Sequence, residues 1–251
     1  MDRYADTAEL LLSAWRDPSH KLVALPAGLS PPDEAGAYAV QRRVSEALGP
    51  IGGWKVGASG PTAAPNCAPL PASGIHPSPG RFTASAHALR GVEAEIAFRL
   101  GADLLPRAEP YGRNEVIAAI AYCLPAIEVL DSRFTNPDAQ DKLAVLADFS
   151  THGGFVFGQP AVDWQGIDFT RETVRLLVDG QPIKTATANP AGDMFRLMQW
   201  LADTGARWAG GLRAGQYVTC GSWTGKDFVA ASAHVQIEFA HAGSATVEFT
   251  P

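Results

Sequence analysis

The chain has 251 residues, 46% hydrophobic and 18% charged, with a formal net charge of -6: apolar enough for a sizeable core, and without the basic run that nucleic acid or an anionic membrane surface would call for. Its three cysteines, Cys67, Cys123 and Cys220, lack CxxC spacing, so neither a zinc site nor a disulfide framework is indicated and a reducing compartment suits them. Met1-Asp2-Arg3-Tyr4-Ala5-Asp6 carries acids where a signal peptide carries bases, and no apolar run reaches the roughly 18 residues of a membrane helix, which predicts a cytoplasmic protein with no membrane partner.

From about Asp6 to Trp15, Leu10, Leu11, Leu12 and Trp15 suit a short amphipathic helix that Pro18 ends. Ser30 before Pro31-Pro32-Asp33 signals a second start, Ala37, Val40, Val44 and Leu48 fall at helical spacing, and Gly49-Pro50 is the stop. Residues 1–52 thus read as a helical N-terminal part. Gly53 to Ala58 reads as a short strand. From Gly60 to Gly80, proline and small residues predict a long irregular loop, packed as a cover over whatever site the chain builds. Strand character resumes at Arg81–Ala84 and Leu89–Leu100. Asn114 is positioned to cap a helix through Val116, Ile117, Ile120 and Leu124, broken by Pro125. Asp141 to Phe149 suits one or two helical turns, and Gly153 to Gly158 a strand. Asp179-Gly180 marks a hairpin after Val174–Val178, and Asp193 to Thr204 a helix. The tail is strands and turns. Strands dominate beyond residue 80, which argues for an α+β fold with a mostly antiparallel core.

Val92-Glu93-Ala94-Glu95-Ile96-Ala97-Phe98 carries the chemistry. Glu93 and Glu95, two apart in a strand, project from one face. That spacing also suits an ordinary solvent face, with Ala94, Ile96 and Phe98 buried. Glu128, inside the apolar run Ala126-Ile127-Glu128-Val129-Leu130, tips the reading: a lone acid there costs several kcal/mol unless paired. Three acids in apolar strands ask for a hard divalent cation with oxygen ligands, Mg²⁺ or Mn²⁺. His76 and His152 lie in loop-like stretches nearby and are candidates for proton transfer, or simply loop histidines. No Gly-x-Ser-x-Gly elbow is present, which discounts serine hydrolysis. Ser222 and Thr224 suit either substrate hydrogen bonding or a strand-end turn.

An ordered series of short runs spans nearly the whole chain: Ala37-Tyr38-Ala39-Val40-Gln41, Gly53-Trp54-Lys55-Val56-Gly57, Val92 to Ala97, Ala126-Ile127-Glu128-Val129 with Asp131-Ser132-Arg133, Ala147-Asp148, Trp200-Leu201-Ala202, Leu212-Arg213-Ala214-Gly215 and Gly221-Ser222-Trp223-Thr224-Gly225. In these runs the chain resembles the fumarylacetoacetate hydrolase superfamily, in its 2-oxopent-4-enoate (2-hydroxypenta-2,4-dienoate) hydratase and 4-oxalocrotonate decarboxylase branch. The resemblance implies a β-roll or distorted sandwich over residues 53–251, forming one catalytic unit behind the helical part, and assembly into dimers or larger homo-oligomers. It places the metal ligands at Glu93, Glu95 and Glu128 and the active-site lysine at Lys55. Arg133, Ser222 and Thr224 are read as substrate contacts.

The sequence departs from the hydratases at three places. Ala72-Ser73-Gly74 lacks their acid before the glycine, Phe149-Ser150-Thr151 sets an aromatic ring among their polar residues, and Ala214-Gly215-Gln216 replaces Ala-Gly-Asp. A 2-oxo acid or its enol can chelate an open-sided ion, which stabilises the enolate formed as a proton moves. Lys55 would hold the carboxylate or enolate oxygen, or act as acid and base. The expected activity is hydration of a small 2-hydroxydienoic acid to a 4-hydroxy-2-oxo acid. The alternatives are a 4-oxalocrotonate-type decarboxylase, an acylpyruvate C–C hydrolase using His76 or His152, and a non-catalytic paralogue that partners an active subunit.

Overall fold

A computed structural model of the chain describes residues 3–251. In chain order the elements are α1 (Arg3–Arg16), α2 (Glu34–Leu48), β1 (Ile51–Gly57), β2 (Asn66–Pro71), β3 (Ile75–Pro77), β4 (Gly80–Thr83), β5 (Gly91–Leu100), α3 (Arg113–Ala118), β6 (Ile120–Leu130), α4 (Lys142–Ala147), β7 (His152–Phe157), β8 (Thr173–Val178), β9 (Gln181–Thr187), α5 (Met194–Trp200), β10 (Tyr217–Ser222), β11 (Asp227–Phe228), β12 (His234–Phe239) and β13 (Gly243–Thr250).

The strands form two sheets. One runs β2-β1-β10-β5-β6-β7-β3, with β11 also on β5, and the other runs β4-β13-β12-β8-β9. Strand β1 on β10, β3 on β7 and β4 on β13 pair in parallel, and the other pairings are antiparallel, giving the mixed, mostly antiparallel α+β architecture expected. One face of the larger sheet, carrying Ala94, Ile96, Ile127 and Val156, joins Val174, Val235 and Val247 of the smaller sheet in the main core. The other face, carrying Ala97, Leu124, Ala126, Phe155 and Tyr217, holds a smaller apolar cluster. Glu93, Glu95 and Glu128 stand on this second face.

The N-terminal helices form as the capping signals imply. Asp33 accepts from Gly36 N at 2.8 Å as the N-cap of α2, and Gly49 takes a positive φ of 106° at its end. Helices α1 and α2 bury Leu11, Leu12, Val40 and Val44 with Phe134, Ala147 and Phe149 in a core of their own. The hairpin between β8 and β9 turns at Asp179 and Gly180, both at positive φ, as a two-residue turn needs to match strand twist. Between β1 and β10 the backbones approach so closely that a Cβ on Gly53 would lie 2.6 Å from the Tyr217 carbonyl oxygen.

Two expectations are corrected. The helix read through Ile120 and Leu124 stops at Ala118, and β6 runs from Ile120 straight through Pro125. The proline is tolerated because its carbonyl accepts from Gly158 N at 2.8 Å, one residue beyond the end of β7. The proline thus keeps its carbonyl paired at the end of β7 and gives up only its own N–H. The stretch from Gly60 to Gly80 is not one irregular loop either. Nine of its 21 residues are β2 and β3, and Pro69 and Pro71 sit in β2, an edge strand, where a sheet tolerates proline. The turn ahead of β2 is tied down by Arg196, which donates to the Ala63 and Gly60 carbonyls.

Candidate metal and substrate site

Strands β5 and β6 are aligned so that Glu93 and Glu128 are direct partners, and Glu95 follows two residues on, opposite Ala126. Partners in a ladder point to the same face, so the three acids converge. Glu93 is half-buried, Glu95 and Glu128 are buried, and one carboxylate oxygen from each lies within 4.8 Å of the others. Lys55 on β1 reaches the same face through Thr219 of β10, its register partner, which in turn pairs with Ala97. The Thr219 hydroxyl donates to the Glu95 carboxylate.

Lys55 Nζ donates to Glu128 Oε1 at 2.6 Å and to the Ser150 carbonyl at 3.1 Å. His152 Nδ1 lies 2.9 Å from the same Glu128 oxygen. An ionised carboxylate only accepts, so Nδ1 carries the proton. Glu128 Oε2, by contrast, is buried with no hydrogen-bond partner. Such an atom ordinarily costs free energy.

Burial, with the neighbouring Glu128 and Glu93 charges, pushes the Glu95 carboxyl well above its ordinary range. Burial and Glu128 raise Glu93 to about 7. Burial acts on Glu128 too, but the Lys55 ammonium and the His152 hydrogen bond outweigh it and hold this carboxyl below its usual value. Lys55 is raised: burial pulls it down, yet Glu128, with Glu93 and Glu95 behind it, prevails. Burial lowers His152, keeping the imidazole neutral. The protein alone thus supplies one ammonium in direct contact, Lys55, and a second at longer range, Lys226, for three clustered carboxylates. The all-oxygen donor set and the orphaned Glu128 oxygen fit a hard divalent cation.

The structure does not bring the other predicted residues to this cluster in the same way. The register of β3 pairs His76 with Val156, on the face opposite Glu128, and its ring packs edge-on against Phe82 at 5.6 Å. Arg133 is buried and fully engaged with Asp148, the His152 carbonyl and the Trp15 ring. Thr224 accepts from Ala94 N and donates to the Gly225 carbonyl, both at 3.1 Å, which ties it to backbone. Ser222 accepts from Gly225 N at 2.9 Å and its hydroxyl also supports Glu93. Phe149 does not enter the site, since it packs into the helical core against Trp15.

Sequence reasoning missed the Ser150 carbonyl, Thr219 and Lys226, whose charge reaches Glu93. A cleft of about 440 Å³ lined by Asn66, Leu143, Ser150, Thr151 and Lys226 opens beside them. A larger cavity of about 690 Å³, around Asp163, Asp168, Glu172 and His241, shares no residue with the cluster.

No family model matches the sequence. Over 132 residues the chain is 33% identical to the 2-keto-4-pentenoate hydratase of Paraburkholderia xenovorans strain LB400, a match covering 52% of this chain and 48% of that one. The chain thus spans about half the length of the curated relatives it matches. A solved structure, 4-oxalocrotonate decarboxylase from Pseudomonas putida G7 complexed with magnesium and adipate, superposes with a TM-score of 0.85 at 25% identity, covering 99% of this chain and 97% of that one. These likenesses are to the fumarylacetoacetate hydrolase superfamily. Within it, the hydratase and decarboxylase branch is the one these likenesses share. A fumarylacetoacetate hydrolase family protein from Yersinia pestis CO92 shares the superfamily fold more distantly, with a TM-score of 0.55 at 16% identity over 80% of this chain and 93% of that one. No helix among the described residues is long and apolar enough to cross a membrane.

Proposed function

We propose that the chain is a divalent-metal-dependent lyase that hydrates a small 2-hydroxydienoic acid of the 2-hydroxypenta-2,4-dienoate type to a 4-hydroxy-2-oxo acid. The observation that carries this reading is the convergence of Glu93, Glu95 and Glu128 on one patch with Lys55 Nζ against it. Glu93, Glu95 and Glu128 would hold Mg²⁺ or Mn²⁺, and the ion, when bound, supplies Lewis-acid stabilisation of negative charge on the oxygens of a 2-oxo acid.

The chain's own side chains do the rest. Lys55 has three N–H donors, of which Glu128 and Ser150 occupy two, leaving one for a substrate carboxylate or enolate oxygen. Pinned in this way, the ammonium meets developing charge without reorganising. His152 holds Glu128 through Nδ1–H and fixes the direction of its free oxygen. Thr219 does the same for Glu95. In the reaction, a proton added at the terminal carbon of the dienol gives an enone, and water then adds at C4, so one water is consumed and nothing is released.

A second reading, decarboxylation of a 4-oxalocrotonate-type diacid, is favoured by the near-complete overlap with the decarboxylase structure, where the hydratase match covers half the chain. Both activities would pass charge onto the same oxygens beside Lys55. A cytoplasmic setting suits the three buried free thiols, and a homo-oligomer is the accompanying expectation. The deciding experiment incubates the Mg²⁺- or Mn²⁺-loaded protein with 2-hydroxydienoates, oxalocrotonate and acylpyruvates and identifies the products. A 4-hydroxy-2-oxo acid is expected; release of CO₂ would move the assignment to the decarboxylase, and no turnover on any substrate would overturn the enzyme.

A further inference from the structure

Phe149, Ser150 and Thr151 take positive φ in succession, 54°, 49° and 64°. L side chains enter this left-handed region at a cost, and a β-branched residue such as Thr151 fits it worst. A turn of this kind persists only where its surroundings over-determine it. Here they do. Arg133, 4% exposed, joins the two ends of the turn: Nη2 donates to the Asp148 carbonyl at 3.0 Å and Nη1 to the His152 carbonyl at 2.9 Å, while Nε meets the Asp148 carboxylate. Trp15 of α1 stacks on the guanidinium at 4.0 Å and packs its ring 5.4 Å from that of Phe149. The apex of the turn is Ser150, whose carbonyl accepts from Lys55.

We propose that Arg133 is a positioning residue for Lys55, acting through the left-handed turn it staples and touching no substrate itself. The inference rests on the reading of Lys55 as the group that meets the substrate's carboxylate or enolate oxygen. With Glu128 alone as partner, an ammonium on a four-carbon stem pivots about a single hydrogen bond. The Ser150 carbonyl supplies the second point, and two fixed N–H directions set the third. Arginine is required at position 133 because a planar fork spans two carbonyls and a carboxylate together, which a lysine ammonium cannot do.

The test is a double-mutant cycle read by ligand binding. Oxalate, a planar mimic of a 2-oxo acid enolate, is titrated into the Mn²⁺-loaded wild type, Arg133→Lys, Lys55→Met and the double variant, with Mn²⁺ affinity measured in parallel. Arg133→Lys is expected to weaken oxalate by about 10-fold when Lys55 is present and not at all when it is Met, with Mn²⁺ affinity unchanged. The same loss in both backgrounds, or no loss in either, overturns the proposal. Should Arg133→Lys fail to fold, Trp15→Leu, which removes only the stacked ring, is read in the same cycle, with a loss of about 3-fold expected in the Lys55 background alone. Coupling without turnover on the substrate panel would sink the lyase reading and leave this inference standing. Turnover without coupling would do the reverse.

Discussion

Glu93 and Glu128 stand directly opposite one another across the β5–β6 ladder. Like charges at such a position repel, and the protein relieves this only in part, with Lys55 on one Glu128 oxygen and nothing on the other. The first prediction follows from that imbalance. Burial raises Glu93 to about 7, so the folded state binds a proton more tightly than the unfolded chain does. A raised carboxyl contributes stability at low pH that is lost as pH rises through its folded value. Without divalent metal, the melting temperature should therefore fall between about pH 4.5 and about pH 7. Saturating Mg²⁺ or Mn²⁺ should raise it and flatten that slope, the added stability being about 2.7 kcal/mol at 100 times the dissociation constant. Melting curves across this range with and without metal check it, and a slope unchanged by metal would remove the cation from the carboxylates.

Glu128→Gln deletes the charge that holds Lys55 and would hold the cation. Divalent-metal affinity should fall by at least about 100-fold, more than the 10 to 100-fold typical of outer-shell partners. Leaving the Lys55 ammonium unpaired should also cost up to about 3–5 kcal/mol of stability. Calorimetric titration with Mn²⁺ and denaturant unfolding measure the two losses separately.

Lys55→Met keeps the aliphatic bulk and removes the charge. Turnover should drop by a factor on the order of 10² or more, while metal affinity and fold change little. Steady-state rates beside a metal titration provide the comparison. Full rate in this variant would take the lysine out of the chemistry.

The two histidines should separate cleanly. His152→Ala removes the donor on Glu128 and should weaken metal binding by about 10 to 100-fold, whereas His152→Asn places an amide N–H near the old Nδ1 and should restore part of it. His76→Ala should leave both metal affinity and rate at wild-type levels, because its register puts it on the opposite face. An effect of His76→Ala on rate, measured beside the His152 pair, would show a route to the site that the sheet register does not provide.

Much of this was legible in the chain itself. A strand has a period of two whatever surrounds it, so Glu93 and Glu95 share a face by local geometry alone, and the capping and turn residues at Asp33, Gly49 and Asp179-Gly180 act within a few residues of themselves. The apolar flanks of Glu128 marked it as buried before any contact was known. What only the tertiary structure decided were non-local matters. The register that opposes Glu128 to Glu93 and turns His76 away depends on pairings between strands far apart in sequence. Pro125 reads as a helix breaker until the sheet places it in β6 with its carbonyl bonded to Gly158 just past the end of β7. The left-handed turn at Phe149-Ser150-Thr151 contradicts the local preference of all three residues, and groups brought from elsewhere in the chain, Arg133, Trp15 and Lys55 among them, hold it in place.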